Sequence, residues 1–355
     1  MTQSKVTLGV EKSRREYIWY WDILRISAVV CLVIRHVSTA SFDFVEPLGA
    51  KWWIFNSYGS LVAWMVPVYL MLSGAFFLEP ANHVTLRSLY RRNIFRMLIA
   101  FFVWSALYAL YNVLSGQDAS QPVFVMLLQG HFHLWFLPMI IGIYMLVPAF
   151  RLVTTSIKGT VYIFLISLFV SVAAPMMQDL GWFPDESIFT GENNVGFISA
   201  HVCFFIAGYL FHKIQLTKKQ RIALYLLAII STATVFIGTW QLTLAQGIHN
   251  EDLQSDSNML TGIQGIALFV FMKEACAKKR FSPEVQGVIR LLSSLTFGVY
   301  LVHVMFIALL DRFGFSTLTY NAGWMIPLVL CLVLPLSFGA TWLIRKIPFL
   351  GKYIT

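Results

Sequence analysis

Hydrophobic residues in this sequence gather into long blocks, set apart by short polar stretches. A helix needs roughly 20 mostly apolar residues to cross the hydrocarbon core of a bilayer. Ten blocks reach that length, at about residues 17–38, 52–78, 94–114, 133–150, 160–177, 195–212, 222–244, 258–276, 289–310 and 323–344. The pattern predicts an all-α polytopic membrane protein of about ten helices. A polar segment (1–16) precedes the membrane domain (17–344), and a short tail (345–355) follows it. Neither a soluble domain nor an internal repeat interrupts the series. The first span lacks a small-residue cleavage site after it, so it is read as a helix and not as a signal peptide.

Composition agrees. Of 355 residues, 58% are hydrophobic and 12% charged, against roughly 45–50% and about 25% in soluble domains. Mean hydropathy is +0.70. Water-soluble enzymes, nucleic-acid binders and disulfide scaffolds are excluded on these grounds. The four cysteines, Cys31, Cys203, Cys276 and Cys331, lie scattered in apolar runs with no metal-ligand spacing, so no metal site is expected.

The net charge of +9 reads as membrane topology and not as a nucleic-acid partner, because Lys and Arg accumulate on the cytoplasmic side of membrane proteins. With the N-terminus inside, all of the 26 Lys and Arg fall in cytoplasmic segments except Arg25, Arg35, Lys51 and Arg312. The opposite loops collect acids, among them Asp43, Glu46, Asp118, Asp185, Glu192, Glu251, Asp252 and Asp256. Ten spans preserve this asymmetry, and both termini are expected in the cytoplasm.

Ionisable groups inside a bilayer cost about 2.5–3.5 kcal/mol each and usually face a cavity. The first span carries Asp22, Arg25, Arg35 and His36. Arg25 and His36 are separated by about three helical turns, which places them on one face with a rise of about 16 Å. Asp22 shares that face and can pair with Arg25 at i, i+3. The stripe Asp22, Arg25, Leu32 and His36 is expected to line a passage, with His36 as an acid or base near neutral pH. Arg35 points about 100° away and is expected to snorkel to the outer surface.

Further histidines fall at a similar depth: His131 and His133 in HFHLWFLP, His303 in TFGVYLVH, and His201 at the start of the sixth span. The structural alternative for each is a hydrogen bond between helices, worth roughly 0.6–2 kcal/mol in a membrane. Trp135, Trp182 and Trp324 also suit an interfacial aromatic belt. On the cytoplasmic side, RSLYRRNIFR sets Arg87, Arg91, Arg92 and Arg96 close together. Their forked donors suit phosphate, although topology alone, with anionic membrane lipids as partners, also explains them. Ser73-Gly74 suits a close helix approach or a helix break.

Several of these segments together resemble membrane acyltransferase family 3. The first span looks like its signature helix, an arginine and a histidine separated by ten residues, here Arg25 and His36. PVYLMLSGAFF is similar to the family's run ending in Ser73 and Gly74. HFHLWFLP resembles its His-Leu-Trp-Phe helix at His133, Leu134, Trp135 and Phe136, and GVYLVH its Gly-x-Tyr-x-x-His segment at Gly298, Tyr300 and His303. The likeness covers essentially the whole chain and is nearest to single-domain bacterial members of the enterobacterial common antigen O-acetyltransferase type. One departure concerns the arginine loop. The family usually carries Arg-x-x-Arg followed by proline, whereas Arg92 and Arg96 are one residue further apart, Asn93 occupies the expected first position and Ala100 stands where proline is common.

The resemblance implies ten helices and transfer of an acyl group, usually acetyl from acetyl-CoA as a co-substrate, with no permanently bound cofactor. The acceptor would be a hydroxyl of an envelope polysaccharide or lipid-linked glycan, at the bacterial inner membrane. His36 would be catalytic and Arg25 would serve the donor site. With the reading of the residues, this gives a candidate catalytic set of His36, Arg25, Asp22, His133, Trp135, His303 and Tyr300, of which His133, Trp135, Tyr300 or His303 would supply oxyanion donors. Arg25, Arg87, Arg91, Arg92, Arg96 and Ser73 form the candidate donor-binding set. The rival is a secondary transporter or exporter of a glycan or small anionic solute, although the broken paired helices and repeat symmetry common in such folds are missing.

Overall fold

The computed structural model describes residues 17–39, 41–116, 122–179, 195–348 and 350–355, apart from the side chains of 172–179, 195–199 and 350. Among the described residues there are helices and no strands. In chain order they are α1 (Trp19–Thr39), α2 (Ala50–Val62), α3 (Met65–Phe77), α4 (Phe95–Ser115), α5 (Val123–Gln129), α6 (Phe136–Val153), α7 (Ile157–Asp179), α8 (Val195–Lys213), α9 (Lys218–Gln246), α10 (Met259–Cys276), α11 (Pro283–Arg312), α12 (Ala322–Arg345) and α13 (Leu350–Ile354).

Among the described residues, eight segments are long and apolar enough to cross a membrane, α2 and α3 counting as one. They coincide with eight of the ten expected spans. The other two expected spans fall on α7 and α8, parts of which lie outside the described side chains, as do Asp118, Trp182, Asp185 and Glu192. Large apolar side chains such as Leu226, Ile229, Phe169 and Leu343 are exposed on the outside of the bundle. In water such a surface is an aggregation hazard; against lipid tails it is the expected exterior. The protein is an all-α polytopic membrane protein.

The second expected span is two helices in tandem. Pro67 lacks an N–H and its ring crowds the carbonyl four residues earlier, and the chain breaks there, at Ala63–Trp64, between α2 and α3. The Ser73-Gly74 pair does not break its helix; Gly74 gives close approach instead. A side chain on Gly74 would overlap the Phe205 carbonyl of α8, and one on Gly208 would overlap the Met71 backbone of α3. The two backbones therefore cross at their smallest residues, as membrane helices do where packing drives association.

α1 stands at the centre, packed on α2, α3, α10, α11 and α12. Leu24, Ala28 and Leu32 join one buried cluster, and Val29, Val33 and Val37 join a second. Between them α1 leaves its ridge of Arg25, Leu32 and His36 turned to a cavity of about 910 Å³.

Candidate active site

Along α1 this cavity has two levels, one around Arg25 and one around His36. Arg25 keeps 36% of its side-chain surface exposed, and its guanidinium lies 3.3 Å from Asp22 Oδ1. Asp22 also accepts a hydrogen bond from Ser293 Oγ of α11 at 2.5 Å and another from the Tyr17 hydroxyl. This corrects one expectation: Asp22 is not on the cavity wall. With its oxygens held by three partners, it sits behind Arg25 and fixes where that charge points.

Arg92, Asn93 and Arg96 line the same cavity. The helix makes one π turn over Leu89–Ile94 just before α4, and a π turn takes up more residues than an α turn. The extra residue between Arg92 and Arg96 is accommodated there, and both arginines still line the cavity. Arg96 stacks over the Phe297 ring at 5.0 Å and donates to the Thr355 carbonyl at 2.6 Å, while its buried Nε has no partner. Arg87, in the short helix Leu86–Ser88, and Arg91, in the π turn, are exposed and lie off the cavity, so these two members of the expected donor set are set apart from the rest.

Between the levels the wall is formed by Tyr69, Ser73, Phe136, Ile140 and Tyr144. Tyr144 donates to Ser73 Oγ at 3.2 Å, and the Tyr69 hydroxyl reaches the Arg25 carbonyl at 3.4 Å. Ser73 therefore enters as a lining hydroxyl with no histidine against it.

At the upper level three elements, α1, α11 and the short turn of residues 132–135 before α6, bring imidazoles together. The His36 ring centroid lies 5.1 Å from His303 and 6.4 Å from His133, and these two are 5.4 Å from each other. His303 Nδ1 lies 2.8 Å from the Tyr300 carbonyl. A carbonyl only accepts, so Nδ1 carries the hydrogen and the neutral ring has its lone pair on Nε2. That Nε2 is buried and has no partner. His133 contacts His131 through their Nδ1 atoms at 3.0 Å, leaving its own buried Nε2 unpartnered. Among the described residues no three His, Cys, Asp or Glu side chains converge closely enough to hold a metal ion.

Tyr300 differs from expectation in its bonding. Its hydroxyl donates to the His133 carbonyl at 2.8 Å, so its hydrogen is committed to positioning His133 and does not point at a reacting oxygen. Trp135 lines the cavity, with the His201 ring 5.9 Å away. Trp324 is exposed on the bundle surface.

Beyond His36 the cavity opens among Asp43, Glu251, Asp252, Asp256 and Arg35. Arg35 does not snorkel to the surface. Its side chain is 12% exposed and donates to Glu251 at 2.8 Å and to Gln254. The imidazole of His249, 3.9 Å away, and then Arg35 hold the Glu251 carboxyl below its ordinary range, against the raising effect of burial. Sequence reading placed Glu251, Asp252 and Asp256 in an outer loop but missed their meeting with Arg35, because 219 residues separate Arg35 from Gln254.

These features define a class, a many-helix membrane protein whose cavity holds arginines at one level and converging histidines at the other. The chain belongs to acyltransferase family 3, whose Acyltransferase domain matches residues 18–346. It is a membrane acyltransferase. No curated protein and no solved structure matches it.

Proposed function

We infer that this protein moves an acetyl group from acetyl-CoA to a hydroxyl of an envelope polysaccharide or lipid-linked glycan, in the inner membrane of a bacterium. In branch it stands with the enterobacterial common antigen O-acetyltransferase type. The observation that carries this reading is that Arg25 and His36 share one cavity, with Arg92 and Arg96 at its basic end. The charge distribution along the sequence puts that basic end in the cytoplasm, where acetyl-CoA is made.

The CoA phosphates dock on Arg92 and Arg96, whose planar donors suit phosphate oxygens, with Arg25 further in. The slender pantetheine arm runs past Tyr69, Ser73 and Tyr144 and brings the thioester to His36, so the nucleotide never crosses the bilayer. His36 takes the proton of the acceptor hydroxyl as its oxygen attacks the thioester carbonyl. The tetrahedral intermediate collapses, the C–S bond breaks, and the imidazolium returns the proton to the leaving thiolate. The products are an O-acetyl ester and free CoA. His36 as a covalent acyl relay uses the same groups in two steps. As the His36 and His303 rings, 5.1 Å apart, close on the substrate, His303 Nε2 takes the second N–H of His36 and sets its tautomer. With His131 donating to it, His133 turns an Nε2–H toward the developing oxyanion.

Acetyl transfer by the purified full chain tests the scheme. His36→Ala is expected to lower kcat by at least a hundredfold, in the range of a lost general base, and Arg25→Ala to raise KM for acetyl-CoA. Normal turnover in the His36 variant overturns the assignment. Calorimetric titration with CoA and dephospho-CoA checks the basic end: equal affinity for the two, unchanged in Arg92→Ala and Arg96→Ala, rejects phosphate binding there.

A further inference from the structure

A second cavity, of about 700 Å³, shares no lining residue with the one that holds Arg25 and His36. It lies where the start of α1, the end of α10 and the segment leading into α11 meet. Tyr17, Trp19 and Phe281 give it aromatic walls, and Lys278, Lys279 and Arg280 line it as well. The charge distribution along the sequence assigns this side to the cytoplasm. Since α10 is a span and ends at Cys276, the cavity stands where the hydrocarbon gives way to phospholipid headgroups.

Its cations are free. Lys273, which also lines the cavity, is already spent on the carbonyls of Phe211, His212 and Ile214 at 2.9, 2.8 and 2.7 Å, where it closes the end of α8. Lys278, Lys279 and Arg280 are exposed and form no ion pair among the described residues. No carboxylate lines the cavity, and Glu274, the acid just before this loop, is taken by Arg221. Three like charges in succession repel one another until an anion joins them.

The walls are set in advance. The Tyr17 hydroxyl donates to Asp22, the Arg290 guanidinium stacks over Tyr17 at 4.6 Å and over Trp19 at 5.1 Å, and the Trp19 ring meets Phe281 edge-on at 5.6 Å. Topology accounts for a basic loop on this side; it does not account for three free cations gathered on a walled cavity. Val285, Val288 and Leu291, in the first turns of α11, are exposed, so an apolar surface leads from the basic loop into the bilayer. A molecule with a phosphate head and hydrocarbon tails matches both features, whereas a soluble phosphate matches only the first.

The geometry points to a binding site for the headgroup of an anionic phospholipid, separate from both ends of the catalytic cavity. The phosphate accepts from Lys278, Lys279 and Arg280, whose donors suit its oxygens. The aromatic walls hold the glycerol region at the depth such rings prefer, and the tails lie along α11. The headgroup carries net negative charge, because a zwitterionic one would bring a fourth cation into the cluster.

Native mass spectrometry tests this on the purified full chain, extracted from bilayers of phosphatidylcholine and phosphatidylglycerol in equal amounts. Phosphatidylglycerol is expected to stay bound in preference. The triple variant Lys278→Gln, Lys279→Gln, Arg280→Gln is expected to lower its retention at least tenfold, since each cation near an anionic surface contributes several-fold. A matched variant, Lys158→Gln, Lys218→Gln, Lys219→Gln, neutralises three exposed positions on the same side but off the cavity, and is expected to keep the lipid. Equal retention of the two lipids, or equal loss in the two variants, overturns the site in favour of general charge attraction. An equimolar amount of CoA or inorganic phosphate is expected to leave the lipid in place, and displacement by either overturns the lipid assignment. Cys276, on the cavity wall, gives a second reading that needs no change to the basic loop. With the other three cysteines replaced by alanine, its labelling by N-ethylmaleimide is expected to be several-fold slower in phosphatidylglycerol nanodiscs than in phosphatidylcholine ones. Equal rates overturn the proposal.

Discussion

At the scale of single residues, charge inside this protein is held by neighbours that never touch a substrate. Asp22 is the clearest case. Its carboxylate is shared among Arg25, Ser293 and Tyr17, and its removal would leave Arg25 free to swing. Asp22→Asn is expected to raise KM for acetyl-CoA several-fold with a smaller change in kcat, and steady-state kinetics distinguishes this from a catalytic role, which would lower kcat first. Tyr300→Phe removes the hydrogen bond to the His133 carbonyl. The expected cost is about 1 kcal/mol of stability, near the centre of the range for bonds between membrane helices, together with a loss in kcat as His133 loosens. Thermal unfolding and turnover of the same preparation check both. Glu251 gives a pH dependence. Its folded pKa is lowered, so its contribution is present above the ordinary carboxylate value of about 4.3 and is lost as the pH falls through the lower folded value. The stability difference between wild type and Glu251→Gln is expected to vanish at acid pH. It should be small throughout, because the Glu251 side chain is half exposed.

At the scale of elements, two local features decide where the site groups stand. The α3–α8 crossing is one. Gly74→Val and Gly208→Val each force a side chain into backbone, and both are expected to abolish a folded product, beyond the 1–3 kcal/mol of ordinary overpacking. Gly142, in α6, has open space around it, and Gly142→Ala is expected to stabilise by about 0.5–1 kcal/mol through helix propensity. Size-exclusion profiles of the three variants provide the comparison. The π turn before α4 is the other. Deleting Asn93 leaves Arg92-Ile94-Phe95-Arg96, the spacing usual in the family, and lets the turn relax to an α-helix. CoA affinity is expected to stay within a few-fold of wild type, whereas Arg96→Ala loses at least tenfold, the cost of a charge-assisted hydrogen bond. A deletion as damaging as the arginine loss would show that the π turn itself holds the pair.

At the scale of the whole molecule, α1 acts as the axis. Its two apolar flanks belong to different clusters, and the seam between them is the cavity that joins a basic end to an acidic end. The same charges give the expected topology. A cysteine placed at Asp252 is expected to react with a membrane-impermeant maleimide from outside intact cells, and one placed at Lys278 only after permeabilisation. Labelling from the same side for both would invert or break the assigned orientation.

The sequence alone determined that this chain lives in a bilayer, how its long apolar blocks are spaced, and that Arg25 and His36 share a helix face. Each of these follows from local periodicity and from the cost of charge in hydrocarbon, which act along a single helix. Tertiary structure decided the rest. It moved Asp22 off the wall, drew Arg35 inward to a loop more than two hundred residues away, separated Arg87 and Arg91 from the pair that lines the cavity, and gathered His133 and His303 around His36. Those outcomes depend on which side chains meet across helices, and in lipid that is settled by close packing and by the pairing of buried polar groups. Neither leaves a period that can be read along one chain.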